Sequence, residues 1–438
     1  MVVRELLGLA WPLALSGLVT VAISGNDTVL LGQLGAEAIA VGAVAVAVYS
    51  VVAVLLTGFG VPAQVLTARH HGAGEHGDAA RTAERTATVA LWLSIPLTCV
   101  LLVLAEPLVG WIAGSAVDAG QAAAYLRILL VGLPVFAIGV VLRGFATGIG
   151  RSRVVLVSGV ATFAVDVGAS LLLIALGYGT LGVAVGTLLG SCVPTVVSLG
   201  WLRRIRRGGV PGPRLRKMLG RVRIEHREAW AMGWPEAAMM ACAAGATVVV
   251  TVLLAPSGPV ALATARTLDV AVLLVWMVIY GVAAAGTTLL AQRIGAGDAA
   301  GLRRVVGVTA VGTGGVALLC ATLLPLVTPA VLRLAVDDPR VAAAAEPVVW
   351  IAWTSVLWMA ATATTNAVLR SNGDTRTPLR ASLIGEYAVF LPVGWLLCRV
   401  LDLGLTGVFV ANHIFWAAFL AVGAVTARRY LRRPTVGS

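Results

Sequence analysis

Long apolar runs alternate with short polar breaks along almost the whole chain. Runs long enough, as helices, to cross about 30 Å of hydrocarbon fall at 6–31, 39–67, 87–111, 123–148, 153–176 and 180–202. After a longer polar stretch they resume at 229–254, 261–291, 305–332, 347–369, 379–401 and 404–427. About twelve transmembrane helices are predicted, so the fold class is all-α integral membrane. The first run follows Arg4. It is too long for the apolar core of a signal peptide and lacks a small-residue cleavage site, so it is expected to remain as the first span.

Composition supports lipid as the solvent. Hydrophobic residues make up 59% of the 438 positions and charged residues 12%, against about 25% charged in a soluble domain. The mean hydropathy is +0.95. A net charge of +12 would suit a nucleic-acid partner in a soluble protein. Here the basic residues sit in short loops with almost no aromatic interleaving, and retention of positive loops in the cytoplasm accounts for them. No nucleic acid is expected as a partner.

Arg69, Arg81 and Arg85 lie between spans 2 and 3, and Arg151 and Arg153 between spans 4 and 5. The densest cluster, 203–227, separates spans 6 and 7. Arg293, Arg303 and Arg304 follow span 8, and Arg370, Arg376 and Arg380 follow span 10. Arg428, Arg429, Arg432 and Arg433 close the chain, while the loops 33–37, 177–180 and 256–259 are nearly uncharged. Both termini are therefore expected on the cytoplasmic side of a plasma or inner membrane. Cys99, Cys192, Cys242, Cys320 and Cys398 all fall inside apolar runs without paired spacing, as small buried hydrophobes do.

The two halves repeat at one offset of 223 positions. Trp11-Pro12 returns as Trp234-Pro235, the loop 71–75 as 294–298, and Gly150-Arg151-Ser152-Arg153 as Gly373-Asp374-Thr375-Arg376. Near the ends, Leu181-Gly182-Val183 matches Thr406-Gly407-Val408 after a slip of two. An even number of spans per half makes the repeats parallel, the arrangement of transporters whose substrate path runs between two bundles. The expected organisation is a six-helix bundle over 1–202, a basic cytoplasmic linker over 203–228 and a second bundle over 229–438. The linker contains Gly208-Gly209 and Pro211-Gly212-Pro213, and a short amphipathic helix is expected near 221–227.

Ionisable groups inside spans are functional candidates by default. On span 1, Ser16, Thr20, Ser24 and Asp27 form one polar stripe; on span 5, Ser158, Thr162, Asp166 and Ser170 recur every four residues and form another. Two carboxylates facing a hydrated pocket in low dielectric cannot both ionise cheaply. The pair can hold a proton, or share a cation with hydroxyl and carbonyl oxygens. The plainer alternative is that each Asp satisfies hydroxyls of a neighbouring helix. At the offset of 223 the counterparts are Val250 and Val389, so the coupling chemistry is predicted in the first bundle alone.

Arg266 and Asp269, near the outer end of span 8, are read as an ion pair on the substrate path or as a locally satisfied interfacial pair. Asn26 is a third substrate-path candidate. Glu386, in the first turns of span 11, is read as a shallow, snorkelling or helix-terminus acid, Glu236 as a helix-start residue, and Asn412-His413 as an interhelical hydrogen bond rather than a cavity lining. His70, His71 and His76 are read as a solvated loop, and no metal site is expected. No Walker A, H-E-x-x-H or G-x-S-x-G motif appears, so neither ATP hydrolysis nor proteolysis is supported. The chain is expected to be no enzyme. Pro62, Pro96, Pro134, Pro194, Pro325 and Pro392 permit bends within spans.

Leu9-Ala10-Trp11-Pro12 followed by 26–35 (Asn-Asp-Thr-Val-Leu-Leu-Gly-Gln-Leu-Gly) resembles span 1 of the multidrug and toxic compound extrusion (MATE) transporters. The Gly-Ala-Gly-acidic loops and the segment 369–376 are similar to that family's repeated signatures. The resemblance covers nearly the whole chain. It implies a twelve-helix antiporter that expels cationic or amphipathic organic compounds, with H⁺ as coupling ion or Na⁺ as the alternative, no cofactor, and a monomer in membrane lipid. It also implies that Asp27, Asp166 and Thr187 form a cation site in the first bundle. Thr162 stands where many members have Asn and keeps an oxygen without the amide. Members of the NorM type carry acids in spans 7 and 10, where this chain has Ala243 and Met359, so it resembles the DinF-type branch. A lipid-linked precursor flippase of the same superfold, or a membrane enzyme acting on lipid, are the competing readings.

Overall fold

The computed structural model describes residues 2–114, 117–207, 211–220, 222, 226–335 and 338–432. Among these no strand occurs, as expected where each span must satisfy its own backbone in lipid. The helices are α1 (Val2–Leu34), α2 (Ala36–Thr57), α3 (Gly60–Gly72), α4 (His76–Ala113), α5 (Ala119–Val131), α6 (Leu133–Gly148), α7 (Arg153–Ala175), α8 (Gly179–Arg207) and α9 (Leu215–Met218). They continue with α10 (Arg227–Leu254), α11 (Gly258–Gly295), α12 (Ala299–Ala335), α13 (Pro339–Ala345), α14 (Val349–Ser371), α15 (Arg376–Leu383), α16 (Leu391–Trp395) and α17 (Gly404–Arg432).

Among the described residues, nine helical stretches are long and apolar enough to cross a membrane. Two bent pairs make eleven: α5 with α6, bent by 42°, and α13 with α14, bent by 58°. The 69-residue stretch Arg227–Gly295 holds both α10 and α11 around a 3-10 turn at Ala255–Ser257, which makes twelve. Pro134 lies at the first bend, whereas Pro96, Pro194 and Pro325 are carried inside unbroken helices. Outward faces are apolar, with Val103 76% and Trp111 83% exposed, which only lipid solvates cheaply.

Contacts divide the chain into two compact units, Leu15–Ala237 and Met1–Ala14 with Ala238–Ser438. They are called here the N-terminal and C-terminal units. In the C-terminal unit the first turns of α1 pack through Leu6, Leu9 and Ala10 onto α11, α12 and α14. There Gly281 admits the α1 backbone: a Cβ on it would lie 2.8 Å from Ala14 Cα. In the N-terminal unit the first turns of α10 play the same part. A Cβ on Gly58 would lie 2.7 Å from Ala237 Cα, and Phe59 stacks on Trp230. Both glycines and both alanines are related by the 223 offset.

Loop backbones repeat as well. Left-handed φ angles occur at Gly35 and Gly258, Gly74 and Gly297, and Gly150 and Gly373, which are all 223 apart. Past α15 the pairs are Gly177 with Asp402 and Gly179 with Gly404, now 225 apart. Between the two registers, the eleventh span contains two π-helical segments, Ile384–Phe390 and Leu396–Val400. A π turn closes on i+5 rather than i+4 and so absorbs one extra residue. Two such segments account for the slip of two.

Part of the linker is pinned to α4. Glu84 accepts from the Arg214 backbone N (2.8 Å) and pairs with Lys217 (3.7 Å), while Thr88 and Trp92 donate to the carbonyls of Met218 and Gly220. The described linker helix is α9. Gly208-Gly209, Arg221 with most of the expected amphipathic turn, and Arg433 lie outside the described residues.

Candidate coupling site in the N-terminal unit

The site begins with a glycine seam. Gly182, Gly186 and Gly190 recur every four residues on α8 and let α7 approach it closely, as small residues do between membrane helices. A Cβ on Gly186 would sit 2.8 Å from the Ser170 backbone N, and one on Gly190 would sit 2.9 Å from Asp166 Cβ. Asp166 is thereby held at 1% exposure. On the other side α1 reaches α7 where Ser16 Oγ lies 3.5 Å from the Val155 carbonyl, opposite Gly159.

The polar stripes are partnered mostly along their own helices. Thr20 donates to Ser16 O (3.0 Å), Ser24 to Thr20 O (3.4 Å) and Thr162 to Ser158 O (2.8 Å). Their hydrogens are thus occupied away from the carboxylates. Thr187 Oγ1 lies 3.5 Å from Asp27 Oδ2 and 3.1 Å from Val183 O. A hydroxyl has one hydrogen, and the carbonyl is nearer. The Thr187 hydroxyl also faces Asp166. The Tyr125 hydroxyl, fully buried, faces both acids and Thr187 without making a hydrogen bond of good geometry.

Asp27 and Asp166 are close enough for their charges to interact directly. Each keeps one buried oxygen, Oδ1, with no hydrogen-bond partner, and Asn26 Nδ2 is in the same condition. Buried polar atoms are normally partnered, and leaving one bare costs on the order of 1–3 kcal/mol. Two acids and two hydroxyls at one point can take up a proton, or offer oxygens to a bare cation. The structure therefore brings together Asp27, Asp166 and Thr187, and it places Thr162 one turn before Asp166 with its hydrogen committed elsewhere.

Arg266 and Asp269 lie in the C-terminal unit. Arg266 donates to Thr251 on α10 (2.9 Å) and interacts with Asp269 through charge, without an ion pair inside 4.0 Å among the described residues. His413 bridges helices, from Phe409 O (3.1 Å) to Thr354 Oγ1 (3.1 Å). His70 pairs with Glu75 (2.8 Å), and His71 stacks on His76. No cluster able to hold a metal occurs among the described residues.

Two acids differ from their sequence reading. Glu236 is 0% exposed and lies well inside α10, because that helix starts at Arg227. Glu386 is not snorkelling: it is 7% exposed inside the first π segment. Sequence reasoning also passed over Tyr125 and Glu84. A polar ring in the fourth apolar run was the available signal for Tyr125, and a carboxylate facing a basic linker the one for Glu84.

Twelve spans in two repeated units, with buried acids inside their helices, are the architecture of a multi-pass membrane transporter. The MatE family profile matches residues 12–172 and 235–396, and the chain belongs to that family. A relative named probable multidrug resistance protein NorM, from Deinococcus radiodurans, is 30% identical across 99% of this chain and 96% of its own length. Multidrug resistance protein PmpM of Pseudomonas aeruginosa is 26% identical, covering 93% of this chain and 85% of that protein. Among solved structures, MATE in the bent conformation has a TM-score of 0.89 at 19% identity, over 98% of this chain and 95% of that one. An outward-facing multidrug resistance MATE family transporter has 0.86, also at 19%, over 99% and 97%. At that identity the structures speak for the fold. The relatives are transporters, and the chain is a transporter rather than an enzyme.

Proposed function

We propose that this protein exports cationic or amphipathic organic compounds by H⁺ antiport through alternating access, with Asp27 and Asp166 as the coupling pair. Family membership and relatives named for multidrug resistance support multidrug efflux. The coupling assignment is carried by one observation: two carboxylates of like charge beside each other, Asp166 buried and Asp27 half-buried, each with a buried oxygen lacking a partner.

The pair has two states of different energy. With both acids charged, like charges face each other in low dielectric. One proton removes that repulsion and leaves one acid neutral. A proton arriving from outside thus favours one packing of α1 against α7 and α8, and its loss inward favours the other. Thr187 and Tyr125 are the hydroxyls that follow the change. The first-bundle location agrees with the DinF-type resemblance, and no cofactor enters the scheme. The protein acts in the plasma or inner membrane with both termini cytoplasmic, as the Arg-rich loops support. It works as a monomer.

Dye efflux in energised vesicles tests the ion. Collapsing the proton gradient stops efflux, and a Na⁺ gradient alone does not restore it. Efflux sustained by Na⁺ alone would assign the same oxygens to Na⁺ instead.

A further inference from the structure

Where the linker lies on α4, the N-terminal unit holds a cavity of about 600 Å³, within the size range of ligand pockets. Val89, Trp92 and Leu93 of α4 and Val222 of the linker form its apolar wall, and His226, Arg227 and Trp230 close it at the start of α10. Trp92 is 53% exposed and Trp230 46%. Each is nonetheless held in place: Trp92 Nε1 donates to Gly220 O (3.1 Å), and Trp230 packs on Phe59. The cavity therefore has a fixed apolar interior and a guanidinium, that of Arg227, at its rim.

Its depth follows from the charge pattern. After Arg85 no charged residue occurs on α4 until Glu106, and the residues 86–105 between them rise about 30 Å, the thickness of the hydrocarbon. Val89, Trp92 and Leu93 therefore sit about 5–10 Å inside its edge, where lipid tails begin and tryptophan concentrates. Just outside, the linker is strongly basic: ten Lys or Arg and one acid, Glu225, occur over 203–227. Of these, Arg206, Arg214 and Lys217 line a neighbouring cavity together with Arg81 of α4. Arg81 and Lys217 already face acids, Asp78 and Glu84. In the C-terminal unit the positions corresponding to Val89 and Trp92 are Gly312 and Gly315, so this wall is peculiar to one unit. An apolar slot at tail depth beneath a cationic rim suits a guest with hydrocarbon at one end and negative charge at the other. A zwitterionic lipid would bring its own cation against Arg227.

We propose that this cavity holds one anionic phospholipid, its phosphate at Arg227 and an acyl chain against Val89, Trp92, Leu93 and Trp230. Basic pockets beside membrane helices recognise such head groups. The cytoplasmic leaflet is assigned from the orientation proposed above, whereas the site itself rests on neither the coupling pair nor the efflux reading. Because the linker supplies part of the wall, an occupied site ties the linker to α4 and to the start of α10.

The test is photolabelling of the full-length protein in phosphatidylcholine nanodiscs that contain a trace of phosphatidylglycerol with a diazirine on one acyl chain. The matching diazirine phosphatidylcholine is the reference. Phosphatidylglycerol should label residues 89–93 and 230 about fivefold more than phosphatidylcholine does, the factor that one cation near an anionic head group supplies. Arg227→Gln should abolish that preference, and Arg227→Lys should keep most of it, since either cation can face a phosphate. Asp27→Asn should label like the wild type, so a failure of the coupling reading would show in vesicles and not here. Equal labelling by the two lipids in the wild type overturns the proposal, because any lipid brushing the surface would then account for it. A preference in Arg227→Gln within about twofold of wild type overturns it as well. Arg227 is exposed, so its replacement disturbs no packed helix, and the comparison of the two lipids needs no variant at all.

Discussion

In the N-terminal unit α8 meets α7 through Gly186 and Gly190, and Asp166 lies in the seam. In the C-terminal unit the positions corresponding to those glycines, 225 further on, are Ala411 and Phe415. There the large residue is on α17 and the glycine, Gly385, is on the span it packs against. The same helix pair has exchanged knob and hole. One version draws a carboxylate, Asp166, into a tight helix seam. The other pushes rings toward an open cavity and places its acid, Glu386, on the wall. The devices that shape the backbone have stayed alike in both units, down to Gly58 against Ala237 and Gly281 against Ala14. The residues that carry chemistry have diverged: Asp27 and Asp166 correspond to Val250 and Val389.

The largest expected effect tests that divergence directly. Asp166→Asn or Asp27→Asn should lower proton-driven dye efflux about 100-fold, the scale of losing a proton-transfer group. Val250→Ala and Val389→Ala should leave it intact. Normal efflux from both Asn variants would remove the coupling role, and equal damage from the Val variants would erase the asymmetry.

A smaller effect is expected at the seam. Gly186→Ala drives a methyl into the Ser170 backbone, which cannot retreat, and should cost about 1–3 kcal/mol as overpacking does. Its counterpart Ala411→Gly should cost about 1–2 kcal/mol, through helix propensity and the loss of one buried methyl without any clash. Thermal unfolding in detergent reads both, and equal shifts would mean that the two helix pairs are packed alike.

The smallest effect concerns the repeated loops. His70–Glu75 and Arg293–Asp298 are the same contact at an offset of 223. Asp298 also accepts from the Gly301 backbone N at 2.8 Å, whereas Glu75 caps no backbone N–H. Asp298→Ala should therefore cost about 1 kcal/mol, as lost caps do. Glu75→Ala should cost about 0.5 kcal/mol or less, as exposed ion pairs do. Unfolding curves for the two variants that coincide would show the cap to be idle.

Much of this was legible before any coordinates. Twelve apolar runs specified twelve spans because lipid offers the backbone no partner, and the 223 offset specified two copies of one unit. Periodicity also put Asp27 and Asp166 on polar stripes, since four-residue spacing stacks side chains on one helix face. Three things were decided only by packing. Glu386 reads as a helix-end acid until the π segment turns it inward beside rings drawn from α11 and α17. Tyr125 joins the acids because α5 is folded against α8, a contact between residues about sixty positions apart. The exchange of the first turns of α1 and α10 between units depends on Gly58 and Gly281, whose missing side chains matter only once another backbone arrives. Hydropathy and spacing act along one chain segment, whereas these features arise between segments, where distance in sequence carries no information.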